Sequence, residues 1–182
     1  MKKQVKKNEN KNIELKQAFL SNAISDISSY IHLTDTKVSI IMAILAVMIA
    51  TITACHEFIM NKILVSKSSF LYFILIVGVL LCFIISLAGV FIFGILTIKG
   101  HQAQLKYNSK WFIEKSVETY TFETYKKDVL QMTDDDILEN LTAELYKLND
   151  ISRQKLTSYK WVIKSLSVSI LSLSVLFLLV FL

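Results

Sequence analysis

Leu33-Thr34-Asp35-Thr36-Lys37 leads directly into VSIIMAILAVMIATITA, residues 38–54, a run without a single charge. An α-helix rises about 1.5 Å per residue, so roughly 20 apolar residues cross a hydrocarbon core of about 30 Å. Residues 38–54 are therefore a transmembrane span near the short limit, and the two opposite charges stand at its mouth. Asp35 is a natural helix starter, because its carboxylate can accept the free amide protons of a first turn. Lys37 can lie along the apolar stem and raise its ammonium to the headgroups. Two readings follow: a cap on a membrane anchor, or a polar signature that couples the membrane boundary to the rest of the chain.

The composition extends the membrane reading. Of 182 residues, 53% are hydrophobic and only 19% charged, and proline is absent. Two further charge-free runs, 70–98 and 165–182, accompany the first. The expectation is an all-α membrane protein with three transmembrane helices. Residues 1–33 form a cytoplasmic tail and amphipathic helix. A two-span hairpin occupies 34–98, a helical cytoplasmic region 99–164, and the third span 165–182. The run 70–98 is too long for an upright span, so it tilts or extends into the cytoplasm. The basic leader is followed by a polar amphipathic stretch, so a cleaved signal peptide is not expected.

Lysines precede the first span and recur through 99–164, whereas 55–69 holds only Lys62 and Lys67 against Glu57. Positive segments stay inside. This places the N-terminus and 99–164 in the cytoplasm, with the 55–69 connection and the C-terminus outside the inner membrane. The net charge of +5 is then a topology signal. There is no basic stripe interleaved with aromatics, which argues against a nucleic-acid polymer as partner.

Residues 1–14 read as loose. Ile13, Leu20, Ile24, Ile27 and Ile31 then share a helical face. A juxtamembrane helix packed on its own cytoplasmic region is the simpler reading, and a short coiled-coil arm the other. Ser39, Ala43, Ala46, Ala50 and Ala54 make a small-residue stripe in the first span, as do Gly78, Cys82 and Ser86 in the second. Such stripes let backbones approach where lipid gives no hydrophobic drive to associate. In the third span, Ser165, Ser169 and Ser172 face one way and Ser167 and Ser174 nearly the opposite way. Packing within the protomer and with another copy, hence a homo-oligomer, is the expectation, with a pore lining as a further possibility. The aromatics Tyr107, Trp111, Phe112, Tyr120, Phe122 and Tyr125 read as core. Thr133 opens a helix with Asp134, Asp135 and Asp136 in its first turn, spaced as a capping box. No glycine or proline follows, so this helix runs on into the third span.

No catalytic constellation can be assembled. His32, His56 and His101 are scattered, and His56-Glu57 lacks a second histidine four residues after the first. The four glycines make no phosphate loop, and the acids at 134–136 have a simpler cause in the helix dipole. The chain is expected not to be an enzyme and to hold no metal. Cys55 and Cys82 are too few and too poorly placed for a disulfide or metal framework.

In order and spacing, these features resemble the transmembrane effectors of the pyrimidine-cyclase antiphage systems, the Pycsar membrane effectors. Asp35 and Lys37 fit that family's Asp-x-Lys-Ala opening, with Val38 for the alanine. Trp111-Phe112-Ile113-Glu114 and Thr121-Phe122-Glu123-Thr124-Tyr125 resemble its Phe-Gly-x-Ile and Ser-x-x-x-Tyr stretches, with the glycine lost and threonine for serine. The acidic start at Thr133–Leu141 follows, and Lys155 fits a Lys-Tyr pattern with Leu156 for the aromatic. The resemblance covers about residue 30 to the end. It implies that a companion cyclase makes cyclic CMP or cyclic UMP on infection. The nucleotide then acts on this effector, whose spans impair the inner membrane and kill the infected cell by abortive infection. The ligand is a nucleotide rather than a cofactor. An anionic ligand needs cations, and the candidates for binding or coupling are Asp35, Lys37, Lys106, Lys110, Arg153, Lys155 and Lys160, with Lys99 beside them. The alternatives are a membrane-anchored scaffold and a ligand-independent, holin-like pore former.

Overall fold

A computed structural model describes residues 2–66, 70–99, 101, 103–105, 107 and 121–181. Among these residues all regular structure is helical: α1 (Lys2–Ala54), α2 (His56–Ser66), α3 (Phe70–Ile98), α4 (Phe122–Leu130) and α5 (Asp134–Phe181). Three of these helices, α1, α3 and α5, are long and apolar enough to cross a membrane.

The chain has no glycine before Gly78 and no proline at all, so nothing local interrupts α1. This corrects two expectations. Residues 2–14 are helical rather than loose, and Asp35 lies in the middle of a continuous helix and caps nothing. The connection 55–69 also holds more than a loop. Past Ala54 the chain falters for one residue at Cys55, whose amide still reaches the Thr51 carbonyl at 3.1 Å and whose carbonyl accepts from Ile59 at 3.1 Å. The His56 ring meets the Thr53 carbonyl at 3.0 Å, and α2 then continues to Ser66.

The contacts divide the chain into two units, Met1–Ile31 with His101–Arg153, and His32–Gly100 with Gln154–Leu182. The second unit holds the membrane bundle. Thr34, Val38, Ile41, Leu45 and Met48 are the buried face of α1, spaced four, three, four and three. On α3, Ile76, Phe83, Val90 and Thr97 recur every seven residues, with Ser86 and Gly94 between them. On α5, Lys155, Val162, Ser169 and Leu176 do the same. A seven-residue repeat is the seam of helices that cross at about 20° and interlock. Two clusters fill it: Ile41, Leu45, Val90 and Val162 near one end, and Ile59, Ile76, Leu176 and Val180 near the other.

The small residues act asymmetrically. A Cβ on Gly94 would meet the Met42 sulfur at 2.9 Å, and one on Gly89 would meet Ser165 Oγ at 2.8 Å. Ser169 donates to Ser86 at 2.8 Å and Ser172 to the Cys82 sulfur at 3.6 Å, so the expected serine face does pack on α3. Ser167 and Ser174 are exposed and return their hydroxyls to their own helix at 2.9 Å. The expected stripe on α1 fails, because Ser39, Ala43, Ala46, Ala50 and Ala54 are all exposed. Close approach needs one small partner per contact, and at Gly94 α3 supplies it, which leaves α1 free to bury larger residues. Gly78 lies in open space, outside that packing. Ile40, Ile44, Val47, Ile85 and Leu171 stand exposed around the bundle, as a bilayer requires and water would penalise.

In the first unit, Ile13, Leu20, Ile24, Ile27 and Ile31 are half-buried along α1, the face their spacing predicts. The capping box at the start of α5 forms: the Thr133 amide donates to Asp136 Oδ2 at 2.8 Å and the Asp136 amide to Thr133 Oγ1 at 3.2 Å. Thr121 caps α4 through the Thr124 amide at 3.4 Å. Phe122 is exposed rather than core, and Trp111, Phe112 and Tyr120 lie outside the described residues.

Candidate functional site

The heptad seam of the membrane unit is apolar or small except at Lys155, which falls where Val162, Ser169 and Leu176 would continue it toward the N-terminal side of α5. Lys155 is 6% exposed. An unpaired ammonium there would cost several kcal/mol in lost hydration. Asp35, one turn before the first buried apolar residue of α1, answers it. Lys155 Nζ donates to Asp35 Oδ1 at 2.6 Å and to Oδ2 at 2.7 Å. Both are charge-assisted bonds at the short end of the range. The carboxylate keeps a side to solvent, with the Asp35 side chain 31% exposed against 7% for Lys155. Buried Thr34 and Val38 flank Asp35 along α1. The pair closes a loop of 120 residues and clamps α1 to α5 one turn before the charge-free segment of α1 begins.

The other sequence-predicted residues are not drawn into this clamp. Lys37 is exposed, as are Lys99 and Lys160. Arg153 belongs to the first unit, where its guanidinium lies 3.2 Å from Asp150 on the same helix and is largely exposed. Lys106 and Lys110 lie outside the described residues. Asp35 and Lys37, read together as a boundary pair, thus separate in the structure. Asp35 has a long-range partner, and Lys37 points to the surface.

The first unit contains a polar run that residue spacing did not reveal. The chain after α3 lies along α5 in the opposite direction, with the Gln104 amide donating to Asp150 Oδ2 at 3.1 Å and Lys147 Nζ donating to the Tyr107 carbonyl at 2.7 Å. Burial pushes the Tyr107 hydroxyl above its ordinary range, and Glu139 and then Asp136 add to the rise. Tyr107 is therefore a neutral hydroxyl at physiological pH. On another side of the same unit, Leu15, Lys16, Phe19, Leu20, Leu138 and Thr142 line an open groove of about 380 Å³. Phe19 is 69% exposed there, an apolar surface with one cation beside it.

Comparison with known proteins gives one result. The model of a family described as the Pycsar effector protein domain matches residues 19–182. No curated protein matches the chain, and no solved structure does.

Proposed function

Since this chain belongs to the Pycsar effector family, a membrane-spanning branch of antiphage defence, we propose that it is the membrane-impairing component of a cyclic-nucleotide alarm. In this reading a companion cyclase makes cyclic CMP or cyclic UMP on infection. The nucleotide binds the first unit, and the membrane bundle rearranges and breaches the inner membrane. The protein acts without catalysis, as a homo-oligomer, with its N-terminus in the cytoplasm and its C-terminus outside.

The observation that carries the reading is the Asp35–Lys155 clamp. It joins α1 and α5, the two helices that contribute residues to both units. A ligand shifts a conformational equilibrium only by its difference in affinity for the two states. Couplings of about 1–3 kcal/mol are usual for such switches, so one charged contact at the membrane boundary is of the right size to be the point of leverage. The groove at Phe19 supplies an apolar wall for a flat base and Lys16 a counter-charge for a phosphate.

The test is expression of the chain alone and beside a pyrimidine cyclase, with membrane potential as the readout. Depolarisation that requires the cyclase is expected, and Asp35→Asn should blunt it while leaving insertion intact. An intact potential in the presence of abundant cyclic pyrimidine nucleotide would sink the reading. Depolarisation by the chain alone would make it a ligand-independent pore, and silence in both cases a scaffold.

A further inference from the structure

On α5 the charges reach deeper into the bundle than they do on its neighbours. Ser165 meets α3 at Gly89, whereas Met42 and Val38 of α1 meet it at Gly94, five residues nearer its end. The stack of Phe93 on Trp161, with ring centroids 5.8 Å apart, gives the same register between α3 and α5. Lys164 directly precedes Ser165, and Lys37 directly precedes Val38. Lys164 therefore stands at least five residues deeper than Lys37, about 7 Å along the helix axis. At the depth of Lys160 and Lys164, α3 is uncharged and α1 has already entered its charge-free run.

Lys160 and Lys164 share one exposed face of α5, with exposed Trp161 beside them. The Lys164 ammonium lies 4.7 Å from the centre of the Trp161 ring. It thus reaches back one turn toward the boundary, the direction in which helical side chains lean. Like charges at this spacing repel, and neither lysine has an ion pair among the described residues. The membrane unit contains only two acids, Asp35 and Glu57. Asp35 is engaged by Lys155, and Glu57 lies past the far end of the charge-free run of α1. Further along the same face of α5, Val168 and Leu171 are exposed.

We propose that Lys160, Trp161 and Lys164 form a binding site for an anionic phospholipid. The two ammoniums hold the headgroup phosphate, Trp161 packs against the glycerol region, and an acyl chain runs along Val168 and Leu171. A cation set among apolar helices is costly unless an anion meets it, and basic clusters at the membrane boundary recognise acidic headgroups. The face offers two cations and then an apolar track, so its ligand carries an anionic head and an apolar tail. A lipid has both, whereas a soluble anion lacks the tail. Setting topology requires only lysines somewhere near the end of the span. It does not require two of them on one face, below the level of the charges on α1, with a tryptophan between them.

The test uses the full chain with Trp111→Phe, which leaves Trp161 as the sole tryptophan, in phosphatidylcholine vesicles. A small fraction of brominated phosphatidylglycerol or, separately, brominated phosphatidylcholine is added, and quenching of Trp161 fluorescence is read. Quenching should show about a fivefold preference for the anionic lipid, the scale of a lysine–headgroup attraction. Lys160→Gln with Lys164→Gln should abolish the preference and leave quenching by phosphatidylcholine intact, while arginine at both positions should keep it. Lys37→Gln with Lys99→Gln removes the same charge from the neighbouring helices and should leave most of the preference. Equal quenching by the two lipids overturns the proposal, and so does an equal loss in the two double-glutamine variants, which would make the attraction diffuse. Inorganic phosphate, cyclic CMP and cyclic UMP, each in excess, should not displace the brominated lipid. Displacement by any of them would assign the lysines to a soluble phosphate and overturn the proposal as well. The defence reading is tested by depolarisation in cells, so the failure of one is distinguishable from the failure of the other.

Discussion

Arg153 and Lys155, two residues apart on α5, each pair with an acid, and the two pairs obey different physics. Arg153–Asp150 is local, three residues apart, with the guanidinium side chain 77% exposed and the Asp150 side chain 9%. Lys155–Asp35 joins residues 120 apart, with the ammonium side chain 7% exposed. Pairing an exposed cation with a neighbour on its own helix contributes a few tenths of a kcal/mol, because water solvates that cation almost as well as the partner does, and Asp150 keeps the Gln104 amide whether or not Arg153 is present. A buried pair contributes little beyond what an apolar pair would, yet breaking it is expensive, because one charge is left without water or partner. The first pair ties an exposed cation to its own helix, and losing that cation leaves no charge stranded. The second holds two helices together only while both members are present, which is the behaviour a coupling contact needs.

The largest test of this contrast is therefore one-sided removal. Asp35→Asn should cost about 3 kcal/mol, read as a fall in the thermal midpoint of the detergent-solubilised protein, whereas Arg153→Gln, which removes an exposed guanidinium, should shift it within about 0.5 kcal/mol. Asp35→Leu combined with Lys155→Met should recover most of the loss, since an apolar pair of similar volume avoids desolvation altogether. Equal effects of Asp35→Asn and Arg153→Gln would erase the distinction. No recovery in the double variant would point to a role for Asp35 beyond neutralising Lys155.

The next test asks whether the membrane unit depends on contact distance as strongly as on charge. Gly89→Leu places a branched side chain where a single Cβ already meets Ser165 Oγ at 2.8 Å. Overpacking of this kind costs about 1–3 kcal/mol and should separate α3 from α5, seen as lost cross-linking between cysteines placed at Ser86 and Ser169. Gly78→Leu, in open space, serves as the control and should change nothing.

How much of this could be read from the sequence follows the range of the forces. The three spans were legible because a bilayer imposes its thickness on any chain that crosses it, and charge-free runs report that directly. The α5 cap and the Ser165, Ser169 and Ser172 face were legible for the same local reason, since spacing fixes which side chains share a turn. Asp35 was misread. Its local chemistry suits a helix start, but a partner 120 residues away uses the same carboxylate, and nothing in the surrounding residues encodes that distance. The signal available was negative: no glycine or proline stands before residue 55 to end a helix. The α1 stripe was misread because small residues allow close approach without compelling it, and α3 had already supplied a small residue at the Gly94 contact. The antiparallel run of Gln104 and Tyr107 along α5 depends on two backbone–side-chain bonds that no motif announces.

The smallest test returns to the contrast from the local side. Thr133 and Asp136 bond reciprocally, amide to side chain in both directions, and the Thr133 hydroxyl also donates to Asp136 Oδ2 at 2.7 Å. Thr133→Ala removes the acceptor for the Asp136 amide and should cost about 1 kcal/mol. Because the box is exposed and three residues wide, the loss should stay within the first turns of α5. Hydrogen exchange should quicken at residues 136–140 and remain unchanged at 155–170. If protection near Lys155 falls as well, α5 behaves as one cooperative rod. The start of the helix would then share in the leverage that the contrast between the two pairs assigns to Lys155 and Asp35 alone.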